Sequence, residues 1–135
     1  MKWLKAIPQK RIEETISEHP LLHVCCGNHK FGDVTIDIDI TVNPMVVSDV
    51  RSLPFKDNSF RASFMDCPWT AAWKKNVADA MKELLRVSPI VFVISPWTYG
   101  SSIAALTEIR VAWTPGVNQA LLFCRYERKG GYHED

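Results

Sequence analysis

Apolar positions change their period several times along the chain, and each change predicts an element. Ile12 and Ile16 fall four apart among charged residues between Pro8 and His19, which predicts a short surface helix ended by Pro20. Residues 21–26 are apolar apart from His23 and stop at Gly27, the pattern of a buried strand. Residues 34–40 alternate Val34, Ile36, Ile38 and Ile40 with Thr35, Asp37 and Asp39, a second strand with one apolar face. A third strand, 45–50, leads into the turn-rich stretch 51–59, and a fourth runs from Phe60 to about Met65. Beyond Thr70, a suitable N-cap, Trp73, Val77, Ala80, Met81, Leu84 and Leu85 recur at three- and four-residue spacings until Ser88 and Pro89. That pattern predicts one long helix. Residues 90–94 are all apolar, as in a strand covered on both faces; a short helix is predicted over 101–106, then a hairpin of 108–113 and 119–127 about the turn 114–118.

The predicted order is helix, four strands, helix, strand, helix, hairpin. An all-apolar strand flanked by helices indicates an α/β sheet, mostly parallel, to which a terminal hairpin adds an antiparallel edge. Ligands of such sheets collect beyond the carboxyl ends of the strands, near the point where strand order reverses. Gly27, Asp37 or Asp39, Asp49, and the run Asp66-Cys67-Pro68-Trp69 all fall at such ends. A carboxylate beyond the second strand suits a ribose diol, and one beyond the third can accept from an adenine amino group. The layout is that of an adenosyl site.

Composition narrows the class. The chain has 135 residues, 47% hydrophobic and 23% charged, with a formal net charge of +1, which fits one domain over 1–129 and a mobile tail over 130–135. No apolar run approaches the roughly 18 to 20 residues needed to span a bilayer, and no signal-peptide core is present, so a cytoplasmic protein without membrane contact is expected. Cysteines 25, 26, 67 and 124 are unevenly spaced, three of them in apolar segments; they are expected to be reduced rather than to form a disulfide framework. The near balance of charge excludes a global nucleic-acid footprint, so any such partner needs a local patch, for which Arg61, Lys74 and Lys75 are candidates.

From about Leu21 to Arg128 the chain resembles the class I S-adenosylmethionine-dependent methyltransferases. Leu22-His23-Val24-Cys25-Cys26-Gly27-Asn28 lies where that family has an acidic, glycine-rich turn, and Val34-Thr35-Ile36-Asp37 is similar to its ribose-binding strand. Asp49-Val50-Arg51-Ser52-Leu53-Pro54-Phe55, with Asp57, Ser59 and Phe60, matches a D-x-x-x-L-P-F-x-D-x-S-F passage seen in small members. Asp66-Cys67-Pro68-Trp69 resembles the D-P-P-W motif of enzymes that methylate nucleobase amino groups. The resemblance implies a Rossmann-like sheet and an S-adenosylmethionine site at Cys25, Cys26, Gly27, Asp37, Asp39, Asp49, Val50 and Arg51. It implies catalysis by Asp66 and the carbonyl of Cys67, which accept from the target amino group of DNA or RNA, with Pro68 shaping the turn and Trp69 stacking on the base. The chain departs from the family in keeping only Gly27 of three glycines and in placing His23 where an acid is customary. A methyltransferase of a small molecule or protein, or a non-catalytic binding subunit of the same fold, are the alternatives.

The connection from Gly27 to Asp33 is seven residues, whereas parallel crossovers ordinarily take a dozen or more. Seven extended residues reach about 23 to 25 Å, enough to return along a short strand without a helix. Two crossover helices are therefore expected to be missing, and a second copy or partner protein is expected over the sheet face they leave bare. A rival topology folds strands two and three into an antiparallel hairpin about 41–44, which would separate Asp49 from Asp37. Locally, Asp66 could simply cap a turn, and Asp37 and Asp39 could mark a solvated strand face. The His23, Cys25, Cys26 and His29 cluster is read as strand packing rather than a zinc site, since alternation sends Cys26 to the other side. Trp97 is a candidate pocket wall.

Overall fold

Eight strands align in the order β1-β7-β8-β6-β5-β2-β3-β4 in the computed structural model, which describes residues 2–118 and 120–130. They are β1 (Lys2–Pro8), β2 (Leu21–Val24), β3 (Val34–Asp37), β4 (Val46–Val47), β5 (Ala62–Met65), β6 (Ile90–Ser95), β7 (Ala104–Trp113) and β8 (Leu121–Arg128). Every neighbouring pair is parallel except β6 with β8 and β7 with β8. The sheet is thus Rossmann-like, with an antiparallel pair at its C-terminal end. Of the expected tail over 130–135, residues 131–135 lie outside the described residues.

The reading of 21–26 and 90–94 as buried strands holds, because β2 and β6 are buried at every position, as is β5 between them. Both β2 with β3 and β3 with β4 run parallel, so the hairpin alternative is excluded. Residues 25–33 return from β2 to β3 without a helix. Gly32 makes this possible by pressing onto β2: a Cβ there would lie 2.6 Å from His23 Cβ and 3.1 Å from Leu21 O. Between β3 and β4, a 3-10 turn (Ile40–Val42) is capped by Asp39 and ended by Asn43 at φ +56°.

Three expectations are corrected. The chain opens with a strand, because residues 2–8 pair with the free edge of β7, and Pro8 ends that edge strand where its missing N–H is harmless. The predicted helix behind it shrinks to a 3-10 turn (Gln9–Arg11) and α1 (Ile12–Thr15). No helix forms over 101–106, since Ala104, Ala105 and Leu106 already pair with Arg128, Glu127 and Tyr126. The long helix starts as expected, with Thr70 Oγ1 accepting the Trp73 N–H at 3.1 Å, but it divides into α2 (Ala71–Lys74) and α3 (Val77–Val87). Asn76 sits at the break, and its side chain accepts from Arg51 Nη1 at 3.1 Å.

A core lies on each sheet face. On one, α3 inserts Ala80, Met81, Leu84, Leu85 and Val87 against Leu22, Val24, Met65, Val91 and Val93. Full burial of Leu84 and Leu85 contributes about 1.5–3 kcal/mol each. On the other, Ile12 and Ile16 meet Leu21, Phe64, Phe92 and Phe123. On this face, where the two crossover helices are missing, Phe92 and Phe123 are each only 3% exposed within the single chain. Arg125 covers Phe92, its guanidinium 5.6 Å from the ring centroid, and is held there by Glu18 at 2.9 Å. Ile38, Ile40, Met45 and Val47 are exposed beside the β4 edge, and Trp113 and Val117 are exposed around the β7–β8 turn.

Candidate functional site

The chain leaves β2 toward β3 on one side and returns at β5 on the other, so strand order reverses between β2 and β5. A cavity of about 580 Å³ opens beyond the carboxyl ends at this point, within the range of small-molecule sites. The ends of four strands contribute Gly27, Asp37, Asp49 and Asp66 to its wall, together with Cys25, Val50, Arg51, Cys67, Pro68 and Trp69. Ile36, Ile38, Ser48, Trp73 and Asn76 complete it; only the fold nominates these, because none stands out by residue type.

Two positions implied by the resemblance fall elsewhere. Cys26 is buried on the opposite side of the turn, its N–H donating to Ile36 O at 3.1 Å. Asp39 points away to cap the next turn, where its Oδ1 accepts from Thr41 N at 2.9 Å and Thr41 Oγ1 at 2.6 Å. These bonds hold its carboxyl below the ordinary range. Trp97 does not border the cavity either; it lines a separate one with Lys74, whose Nζ lies 5.4 Å from the Trp97 ring centroid.

Local bonding explains how the remaining acids are held. Asp37 accepts the Gly27 N–H on Oδ2 and the Asp39 N–H on Oδ1, each at 2.9 Å, which leaves lone pairs on both oxygens. Asp49 is engaged by Arg51 through its backbone N–H at 2.9 Å, Nε at 3.0 Å and Nη2 at 2.6 Å. Those bonds push its pKa down. The passage after Asp49 is fastened to α3: Leu53 N–H donates to Glu83, while Arg86 donates to Leu53 O, Phe55 O, Asp57 and Glu83 at 2.8–3.1 Å. The Leu-Pro-Phe stretch is thereby a brace behind the Asp49 rim.

Asp66 differs from both. Burial raises its carboxyl from 3.8 to about 6, and it has no hydrogen-bond partner among the described residues. Next to it, Cys67 and Cys25 form a disulfide with a Cα–Cα separation of 5.4 Å, a correction to the expectation of reduced thiols. Sequence spacing could not reveal this pairing, because β2 and β5 become neighbours only in the sheet. Trp69 Nε1 donates to Ile94 O at 2.9 Å and its ring packs on the second core, so it is a fixed wall rather than a free stacking plate.

Asp66 and Cys25 also border a second cavity, of about 350 Å³, on the far side of the turn. His23, Phe31 and Phe64 form its aromatic floor, with ring centroids 4.4–5.2 Å apart. His23 is 2% exposed and its Nδ1 accepts the Phe31 N–H at 3.4 Å, so the ring is neutral with its proton on Nε2. Burial, with a smaller contribution from His29, lowers its pKa to about 4. Sequence reasoning missed this floor, which exists only because the 25–33 return lays Phe31 over β2. Among the described residues no cluster suited to a metal ion occurs, and no helix is long and apolar enough to cross a membrane.

No protein-family model and no curated protein matches the sequence. Solved structures match the fold. The PH0226 protein from Pyrococcus horikoshii OT3 aligns with a TM-score of 0.58 at 15% identity, over 81% of this chain and 81% of that one. A SAM-dependent methyltransferase from Methanosarcina mazei aligns with a TM-score of 0.56 at 15% identity, over 87% of this chain and 96% of that one.

Proposed function

We propose that the chain is an S-adenosylmethionine-dependent methyltransferase whose acceptor is an exocyclic amino group of a nucleobase in DNA or RNA. The observation that carries the reading is the meeting of Gly27, Asp37, Asp49 and Asp66 on one cavity at the strand-order reversal, with Asp66 shared by a second cavity. The fold shared with a SAM-dependent methyltransferase supports it.

The residues present fit an adenosyl group. Asp37 keeps acceptor capacity for a ribose diol, Ile36, Ile38 and Val50 offer apolar contact, and Gly27 leaves the wall free of a side chain. Asp49 fits less simply, since Arg51 occupies much of its carboxylate. The cofactor, when bound, supplies an electrophilic methyl group on a sulfonium. The protein's task is then to align the acceptor nitrogen and to stabilise charge growing on it. Asp66, unpartnered and largely ionised at pH 7, accepts a hydrogen bond from the acceptor amino group and orients it. The aromatic floor of the smaller cavity gives a planar acceptor a surface and keeps water from the nitrogen.

A second reading is a free small-molecule amine as acceptor. It is favoured by the charge around the smaller cavity, where among the described residues Lys10 is the one Lys or Arg in the lining and stands against Glu13 and Asp66, little to hold a phosphate backbone.

Titration calorimetry with S-adenosylhomocysteine, followed by labelled methyl transfer to nucleic acid, nucleosides and small amines, tests both. Binding plus label in nucleic acid, lost in Asp66→Ala while binding persists, is the expected result. Label only in free nucleosides or amines selects the second reading, and no binding at millimolar ligand overturns both.

A further inference from the structure

The Cys25–Cys67 disulfide joins two segments that little else holds together. Residues 25–33 form neither helix nor strand, and the same is true of residues 66–70. Cys25 lies in the left-handed region at φ +53°, a conformation that an L side chain rarely adopts and that here goes with a side chain bonded to Cys67. Both cysteines line the larger cavity, one on the Gly27 side and one on the Asp66 side. The bond therefore bridges the two walls whose spacing defines the site. Helices that would brace such a return in a longer chain are missing, which leaves a covalent tie with much of that task.

We propose that the Cys25–Cys67 disulfide is a redox-removable clamp that positions the Gly27 and Asp66 loops, so that ligand affinity of the larger cavity depends on the thiol state. The affinity half rests on the methyltransferase reading; the clamp itself does not. Cys25 is half-buried at the cavity wall and open to attack, whereas Cys67 is buried. A dithiol attacks the Cys25 sulfur through a thiolate, the Cys25–Cys67 bond breaks, and Cys67 leaves as thiolate and takes a proton. The second thiol of the reductant then displaces Cys25, so the protein gains two electrons and two protons while the reductant becomes a cyclic disulfide. Cys26 and Cys124 do not interfere: both are buried, and burial raises both thiols, Cys124 to about 11. The sulfurs of Cys25 and Cys67 act here as positioning groups.

The test is amide hydrogen exchange and S-adenosylhomocysteine titration on the full chain, oxidised, reduced with dithiothreitol, and reoxidised with oxidised glutathione. Mass spectrometry records the thiol state and circular dichroism the fold. Reduction is expected to speed exchange over 25–33 and 66–74 selectively and to weaken binding by about tenfold, by removing preorganisation. Reoxidation should restore both. Cys25→Ser and Cys67→Ser should behave like the reduced protein and ignore the oxidant, a response that a general loss of stability would not reproduce. Unchanged exchange in these segments, or equal acceleration across the sheet, overturns the clamp. Faster local exchange with undiminished binding overturns the link to affinity. If exchange responds as expected but neither form binds the ligand, the clamp stands and the methyltransferase reading falls.

Discussion

The Gly27 N–H donates to Asp37 Oδ2 at 2.9 Å, so the acid at the end of β3 fastens the turn at the end of β2. One carboxylate therefore both shapes the cavity and presents its remaining lone pairs to it. Asp37→Asn keeps an acceptor but gives up charge; Asp37→Ala gives up both. We expect S-adenosylhomocysteine affinity to fall more than tenfold in Asp37→Ala and less in Asp37→Asn, with a stability loss of about 1–2 kcal/mol in the alanine variant. Calorimetry and urea unfolding measure the two quantities, and unchanged affinity in Asp37→Ala would remove Asp37 from the site.

Asp66 and His23 make opposite demands on pH. The folded carboxyl of Asp66 is raised from 3.8 to about 6, so between these values the folded chain holds a proton that the unfolded chain has released, and stability falls as pH rises. His23 is lowered from 6.5 to about 4, so over an overlapping window the unfolded chain holds the extra proton and stability falls as pH drops. Each contributes on the order of 3 kcal/mol, and they offset one another in the native chain. Asp66→Asn should therefore lose stability on acidification from pH 6.5 to 4, and His23→Gln should gain it from pH 6 to 4. Denaturant midpoints across this range measure the slopes; two variants with the same slope would contradict the assignment.

Methyl transfer should follow the same carboxyl. Activity is expected to rise with pH about an apparent pKa near 6, as Asp66 becomes an acceptor-only carboxylate. A rate profile flat between pH 5 and 8 would show that its ionisation plays no part.

Arg86 ties Leu53, Phe55 and Asp57 to α3 through bonds of 2.8–3.1 Å. Arg86→Met retains much of the stem yet leaves Glu83 and two carbonyls without that partner. A loss of about 2–4 kcal/mol is expected, by urea unfolding, together with weaker ligand binding because the Asp49 rim loses its brace. A loss below about 0.5 kcal/mol would mark these contacts as incidental.

Gly32→Ala places a methyl 2.6 Å from His23 Cβ and 3.0 Å from His23 N. Overpacking of this kind costs about 1–3 kcal/mol, and the loop must lift from β2, carrying Phe31 off the aromatic floor. Thermal melting reads the cost; a variant as stable as the parent would mean that the loop yields freely.

The sequence by itself determined the elements whose pattern is dense. All-apolar runs can only be central strands, the spacing from Val77 to Leu85 can only bury one helix face, and Gly27, Asp37, Asp49 and Asp66 fall at strand ends by local pattern alone. Tertiary structure decided whatever depends on which strands become neighbours. Residues 2–8 are a strand because β7 offers a free edge, and residues 104–106 are one because β8 lies opposite. Cys25 reaches Cys67 only because β2 and β5 pair, Arg51 meets Asn76 across 25 residues at the point where the helix divides, and Phe31 lies over His23 where Gly32 has no side chain to hold the loop off. Periodicity records how a residue relates to its neighbours along the chain; contacts across the sheet are set by a register that no short window of sequence contains.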